Sequence, residues 1–82
     1  MKIIRNSKRE LLHPIFHKNK IYNLIAIVYH GGNAKHGHYT SAILNNNNWF
    51  YFNDDQITYI SDINVLQCNT HKISIYCLFY QR

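Results

Sequence analysis

One histidine and a group of polar residues further along the chain have the types and spacing that acid–base chemistry needs. His38 begins a strand-like run, and a second such run leads into Asn53, Asp54 and Asp55. A histidine held by an amide or a carboxylate becomes a general base with a fixed tautomer and orientation, and such a base activates a Cys or Ser nucleophile. Without further support, a histidine beside Asn or Asp is more often part of a surface hydrogen bond than of a catalytic pair.

The partner of His38 depends on how the two runs pair. Residues 38–44 and 49–53 flank four asparagines, which tolerate turn conformations, so the pattern predicts a hairpin. A loop of two or four residues makes Asn53 the same-face diagonal neighbour of His38, with Cα atoms about 7–8 Å apart, and puts Asp55 opposite His38. An odd loop puts Asp54 opposite His38 instead. The pairing rules alone leave all three partners open.

The remaining elements that must position these residues are also mostly strands. Residues 21–29 are apolar on both alternating faces, which predicts a central strand, and residues 57–60 and 73–80 are further strand-like runs. Residues 31–37 contain three glycines and predict a loop. Residues 62–66 predict one helical turn, capped by Ser61 or Asp62. The expected fold class is mainly β, an antiparallel sheet with little helix.

The composition allows one domain with a basic beginning. The chain has 82 residues, of which 46% are hydrophobic. Six of its nine Lys and Arg residues lie in residues 1–20, which we interpret as a basic irregular lead-in with an extended segment at 13–16. Pro14 argues against a helix through that point. A basic arm binds nucleic acid in some proteins, but solvated surface charge is the commoner explanation, so nucleic acid is not an expected partner.

The sequence predicts an intracellular, cytoplasmic protein without a bound metal. No apolar run approaches the roughly 18 residues of a membrane span, and the N-terminus has no apolar signal-peptide core. Cys68 and Cys77 form no C-x-x-C motif and are expected to be free thiols, with a single disulfide as the alternative. A mixed site of His36, His38, Cys68 and His71 matches no zinc spacing, so we expect neither metal nor cofactor.

The order of the motifs resembles a known family. The stretch YNLIAIVYHGGNAKHGHYTSAI, followed by WFYFNDDQITYI and IYCLFYQR, resembles the His-box half of the ubiquitin-specific proteases, which are papain-like cysteine peptidases. The resemblance covers residues 21–82, which would be the C-terminal segment of the catalytic domain. It implies a sheet like the palm of such a peptidase, whose complete fold is α+β.

The resemblance also implies roles for individual residues. His38 would be the general base and Asn53 the residue that orients it, since the family uses Asp or Asn there, while Asp54 resembles an assisting acidic neighbour. His30, Gly37 and Tyr39 would border the channel for the Gly-Gly tail of ubiquitin. The expected partner is ubiquitin or a ubiquitin-like protein.

The nucleophile of the family has no counterpart in this sequence. The catalytic Cys belongs to an upstream box rich in Gly, Asn and Cys, and neither Cys68 nor Cys77 occupies such a context. We therefore expect a fragment of a deubiquitinating cysteine peptidase that is inactive alone, with a separate chain as a candidate source of the Cys box. The alternative is an inactive ubiquitin-binding or interaction fragment. A small basic β protein that binds nucleic acid is a third interpretation, supported by the N-terminal arm alone.

Overall fold

The described part of the chain is an antiparallel sheet. The structure, a computed structural model, describes residues 1–5, 14–32, 36–67 and 73–82. These ranges form seven strands and one 3-10 turn: β1 Lys2–Arg5, β2 Ile15–His17, β3 Lys20–Gly31, β4 His38–Asn45, β5 Asn48–Asn53, β6 Gln56–Ile60, the 3-10 turn Ile63–Gln67, and β7 Ile73–Gln81. The strand order is β1-β7-β3-β4-β5-β6, and β2 pairs with β3. The predicted mainly β fold class is confirmed.

The longest strand, β3, is central, as its apolar sequence predicts. It pairs with β7 on one side and with β4 on the other, and it is longer at both ends than the predicted 21–29. The register between β3 and β7 shifts twice, and the second shift leaves Tyr76 as an extra residue between the pairs Val28–Cys77 and Tyr29–Ile75. Such a bulge bends the strand and increases the local twist.

The asparagine run forms a tight hairpin turn. Asn45 pairs with Asn48, so the loop between β4 and β5 consists of Asn46 and Asn47. Both have positive φ, 51° and 66°, the backbone geometry that two-residue hairpin loops prefer and that asparagine tolerates better than most residues. The observed loop is therefore of even length, one of the two alternatives that the sequence left open.

One face of the sheet carries the core. Ile27, Ala42 and Leu78 are fully buried on neighbouring strands, and Tyr29 and Tyr51 pack edge to face with ring centroids 6.1 Å apart. Because side chains alternate along a strand, Thr40 and His38 point to this same face beyond Ala42. We call it the core face and the other the outer face.

The 3-10 turn closes over part of the core face. Asp62 caps it, because its Oδ1 accepts a hydrogen bond from the Asn64 amide at 3.1 Å. Leu66, within the turn, is buried. The Tyr29 hydroxyl donates a 2.6 Å hydrogen bond to the Leu66 carbonyl and so ties the turn to β3. The described ranges contain no helix of the length and hydropathy that a membrane span requires.

The prediction of an irregular lead-in over residues 1–20 is wrong where the structure describes short strands. β1 pairs with β7 from Lys2–Tyr80 to Arg5–Cys77, and β2 pairs with the beginning of β3. The edge of β7 and the beginning of β3 have backbone groups that need partners, and the short apolar runs at residues 3–4 and 15–16 supply one strand for each. The predicted extended segment at 13–16 ends one residue before β2 does, and its first residue is outside the described ranges.

Candidate active site

The β4–β5 hairpin determines which polar residue meets His38. The pairing runs from Asn45–Asn48 to Ser41–Phe52 and ends before position 38, because β5 ends at Asn53 and turns into β6. The extrapolated pairing of Asp55 with His38 therefore does not form. The diagonal relation does form, since Asn53 and His38 lie on the core face where the two strands end.

His38 and Asn53 form a direct hydrogen bond. The distance from His38 Nε2 to Asn53 Oδ1 is 2.8 Å. Because an amide oxygen only accepts, Nε2 carries the proton, and Nδ1 is left as the basic nitrogen with a free lone pair. The pair thus has the two properties of an oriented general base: a fixed tautomer and a fixed ring orientation.

Asp54 lies near the same imidazole without bonding to it. Its Oδ2 is 3.9 Å from His38 Nε2, and the His38 and Asp54 side chains are 52% and 78% exposed. That distance is too long for a hydrogen bond, and solvent screens the electrostatic attraction. Asp54 has a φ of 53°, in the left-handed region that Asp tolerates at the β5–β6 turn. Of the three partners left open by the sequence, the structure selects Asn53.

Two of the three residues predicted to border a substrate tail, His30 and Tyr39, belong to a cluster of rings on the outer face. The His30 ring lies 4.7 Å from the Tyr39 ring, and the Tyr39 ring packs edge to face on Tyr76 at 5.4 Å. His30 pairs directly with Tyr39 across β3 and β4. Strand alternation places these rings on the face opposite His38, although Tyr39 directly follows His38 in the chain. We call His30, Tyr39 and Tyr76 the aromatic cluster.

Tyr76 was missed by the sequence reasoning. It belongs to the strand-like run 73–80, where simple alternation gives no sign that a bulge displaces the residue from its neighbours. Gly37, the other residue predicted to border the tail, directly precedes β4.

The described thiol does not reach the imidazole. Cys77 is a free cysteine in β7, 7% exposed, and its pairing with Val28 places its side chain on the outer face. Cys68 lies outside the described residues, so its position is not tested. Cys68 and His71 of the mixed metal site are also outside these ranges, and the described residues contain no group of three or more metal-binding side chains.

An apolar pocket lies beside the His38–Asn53 pair on the core face. It has a volume of about 220 Å³ and is lined by Tyr29, Tyr51, Ile60, Val65, Leu66 and Ile73. Tyr51 is two residues before Asn53, and Tyr29 pairs with Thr40, two residues after His38. His38 and Asn53 therefore each lie two residues along the sheet from the residues that line or adjoin this pocket.

Comparison with known proteins identifies the family to which this chain belongs. The family model for ubiquitin carboxyl-terminal hydrolase matches residues 4–80. Ubiquitin carboxyl-terminal hydrolase 10-B of Xenopus laevis is 34% identical over 82 residues, covering 90% of this chain and 10% of that protein. Ubiquitin carboxyl-terminal hydrolase 3 of Homo sapiens is 36% identical over 61 residues, covering 73% of this chain and 11% of that protein.

Solved structures agree with the sequence matches. The yeast SAGA DUBm with an Sgf73 mutant has a chain 40% identical to this one, with a TM-score of 0.60, over 74% of this chain and 13% of that chain. The SAGA Ubp8/Sgf11/Sus1/Sgf73 DUB module bound to ubiquitin aldehyde matches with the same identity and TM-score, over 12% of its chain.

The chain belongs to the ubiquitin carboxyl-terminal hydrolase family, and the resemblance drawn from its motifs is confirmed. It spans about a tenth of the length of the curated relatives named above.

Proposed function

We propose that this chain supplies the general-base half of a deubiquitinating cysteine peptidase site. The observation that carries the proposal is the 2.8 Å hydrogen bond from His38 Nε2 to Asn53 Oδ1. It leaves Nδ1 free to take a proton, on a face of the sheet that is open enough for a second element to approach. The thiol would come from a Cys box outside these 82 residues, in the same protein or in a separate chain.

The reaction follows from this assignment. His38 Nδ1 takes the proton of the thiol, and the thiolate attacks the carbonyl carbon of the bond after the ubiquitin C-terminus. The imidazolium returns the proton to the leaving amine as the carbon–nitrogen bond breaks, which leaves a thioester. His38 then deprotonates a water molecule that hydrolyses the thioester and frees the thiol. Asn53 accepts from Nε2 throughout, so the ring stays in place while Nδ1 gains and loses its proton.

Asp54 has a smaller part in this proposal. Its carboxylate favours the imidazolium that forms after proton transfer, but at 3.9 Å and with high exposure the effect is weak. We assign orientation of the base to Asn53 and a supporting electrostatic role to Asp54.

The substrate tail would pass the ends of β3 and β4. His38 pairs with Gly31 on the last rung of that ladder, and His30 pairs with Tyr39 on the rung before it. A Gly-Gly tail crossing there meets the aromatic cluster on the outer face and the base on the core face. Gly37 adds no side chain to the path, which suits the close approach of a substrate backbone. Ubiquitin or a ubiquitin-like protein is the proposed partner, and a cytoplasmic location stays a prediction.

A split-enzyme experiment tests the proposal. The 82-residue chain is mixed with a polypeptide carrying the Cys box of a relative, and hydrolysis of a fluorogenic ubiquitin C-terminal amide is measured. We expect hydrolysis in the mixture and none with either component alone. His38→Ala should reduce the rate at least about 10²-fold, the usual contribution of a general base, whereas His17→Ala, an exposed histidine on β2, should not.

A ubiquitin probe with a C-terminal electrophile tests the chain by itself. We expect no covalent labelling. Labelling lost in Cys77→Ser or Cys68→Ser would locate the nucleophile in this chain and contradict the proposal. No hydrolysis in the mixture, combined with measurable binding of ubiquitin, would favour the alternative of a ubiquitin-binding fragment.

A further inference from the structure

Gly32 closes the backbone tightly just after β3. Its φ is +87°, in the region that L side chains rarely adopt. A Cβ at this position would lie 2.8 Å from the His36 carbonyl oxygen and 3.3 Å from the Gly37 Cα. Both neighbours are backbone atoms, so rotation of a side chain relieves neither contact. Any L-residue at position 32 must therefore displace the backbone at residues 36–37.

That backbone leads directly into the candidate base. Gly37 precedes His38, the first residue of β4, and Gly31, which precedes Gly32, is the residue paired with His38. The contact at Gly32 thus constrains the backbone next to both members of the Gly31–His38 pair.

The exposure of the ring makes this backbone constraint important. The His38 side chain is 52% exposed, so packing supplies only part of what holds the ring. Its position is fixed by the hydrogen bond to Asn53 and by the path of its own backbone. A hydrogen bond weakens as its angle and length depart from the optimum. A backbone shift at residues 36–37 would move the His38 ring and so misalign Nε2–H with the Asn53 Oδ1.

We propose that Gly32 is a positioning residue for His38, which lets the backbone of residues 36–37 approach closely enough for the imidazole to meet Asn53. That this positioning serves catalysis rests on the proposed function. Whether Gly32 positions His38 against Asn53 can be measured without any assay of catalysis.

The test compares three forms of the full 82-residue chain, prepared by chemical ligation with a ¹⁵N-labelled imidazole at His38: the unmodified chain, Gly32→Ala, and the chain with D-alanine at position 32. D-Alanine favours positive φ, and its methyl group leaves the Cα on the opposite side from that of the L-residue. We expect the imidazole ¹⁵N shifts of the unmodified and D-alanine chains to show a single tautomer, with the proton on Nε2. Gly32→Ala should show the two tautomers averaged.

Protection of the backbone amides of β3 and β4 is recorded on the same samples, because it separates positioning from folding. The inference requires that Gly32→Ala keep this protection while the imidazole signal changes. An imidazole unchanged in Gly32→Ala would overturn it, and so would loss of the whole sheet in that variant, since Gly32 would then be a folding residue.

In the split-enzyme assay the same forms should differ in kcat more than in KM, with D-alanine restoring the rate. Full activity of His38→Ala would refute the proposed function but leave the NMR result for Gly32 intact. An unchanged imidazole in Gly32→Ala would refute the positioning role alone. The two failures are therefore distinguishable.

Discussion

The group that orients His38 is a neutral amide. A carboxylate in its place would both orient the ring and stabilise the imidazolium by its charge, whereas an amide does only the first. The Asn53 amide oxygen accepts Nε2–H and fixes the tautomer, but it adds no negative charge to stabilise an imidazolium. The nearby charge belongs to Asp54, which is 3.9 Å away and mostly exposed. Orientation should therefore depend on Asn53, and Asp54 should contribute little to the rate.

Substitution of Asn53 should consequently cost much more activity than substitution of Asp54. We expect Asn53→Ala to lower kcat/KM in the split-enzyme assay by about 10²- to 10⁴-fold, since the ring loses its fixed tautomer. Asp54→Asn should lower it less than about fivefold, because an exposed ion pair contributes at most about 1 kcal/mol. Equal losses in the two variants would mean that charge, and not orientation, is what the site supplies.

At the scale of elements, the Asn46–Asn47 turn sets the register that brings the pair together. Both residues have positive φ, which costs a β-branched residue about 1–2 kcal/mol. We expect Asn47→Val to lower the free energy of unfolding by that amount in urea titration. Asn45→Val, at an exposed strand position beside the turn, is the matched control and should change stability by less than about 0.5 kcal/mol. A similar loss in both variants would contradict this account of the turn.

The tie between the 3-10 turn and β3 is a second determinant at this scale. Tyr29→Phe removes the hydroxyl that donates to the Leu66 carbonyl at 2.6 Å and leaves a buried acceptor without that donor. We expect a loss of about 1–2 kcal/mol in the free energy of unfolding. Tyr59→Phe, at an exposed position of β6, should change it by less than about 0.5 kcal/mol. If the turn were held by apolar packing alone, both changes would be nearly neutral.

The sequence predicted what depends on local patterns and missed what depends on tertiary pairing. The asparagine turn and a helical turn capped by Ser61 or Asp62 follow from short-range rules. These rules left the loop length even or odd, and so narrowed the partner of His38 to three residues. The strands β1 and β2 are too short to show a period and form because β7 and β3 offer them edges. Tyr76 joins the aromatic cluster through a bulge, which alternation along β7 does not reveal.

At the scale of the whole molecule, both faces of the sheet leave apolar surface uncovered. On the outer face Ile43, Ile57 and Tyr59 are exposed, and on the core face the pocket beside His38 is bounded by Val65, also exposed. A chain of this size rarely has more than a few kcal/mol of stability from one core. The uncovered apolar surface therefore makes the folded state dependent on what packs against it.

The proposed function specifies which face the thiol-bearing polypeptide must cover. Its thiol has to reach His38 Nδ1, so it must dock on the core face over the apolar pocket. We expect the isolated chain to unfold with a free energy below about 5 kcal/mol, and the urea midpoint to rise when the Cys-box polypeptide is added, because a partner that binds only the folded state stabilises it. An unrelated polypeptide at the same concentration should leave the midpoint unchanged.

Two single substitutions of exposed apolar residues identify the face. Val65→Asp places a charge at the wall of the pocket and should abolish the rise in the urea midpoint, because the charge must be desolvated when the partner docks. Ile57→Asp places the same charge on the outer face and should leave the rise intact. Since both residues are exposed, the two variants alone should unfold at similar urea concentrations. Loss of the rise in Ile57→Asp alone would mean that the polypeptide docks on the outer face, where a thiol would be separated from His38 by the sheet.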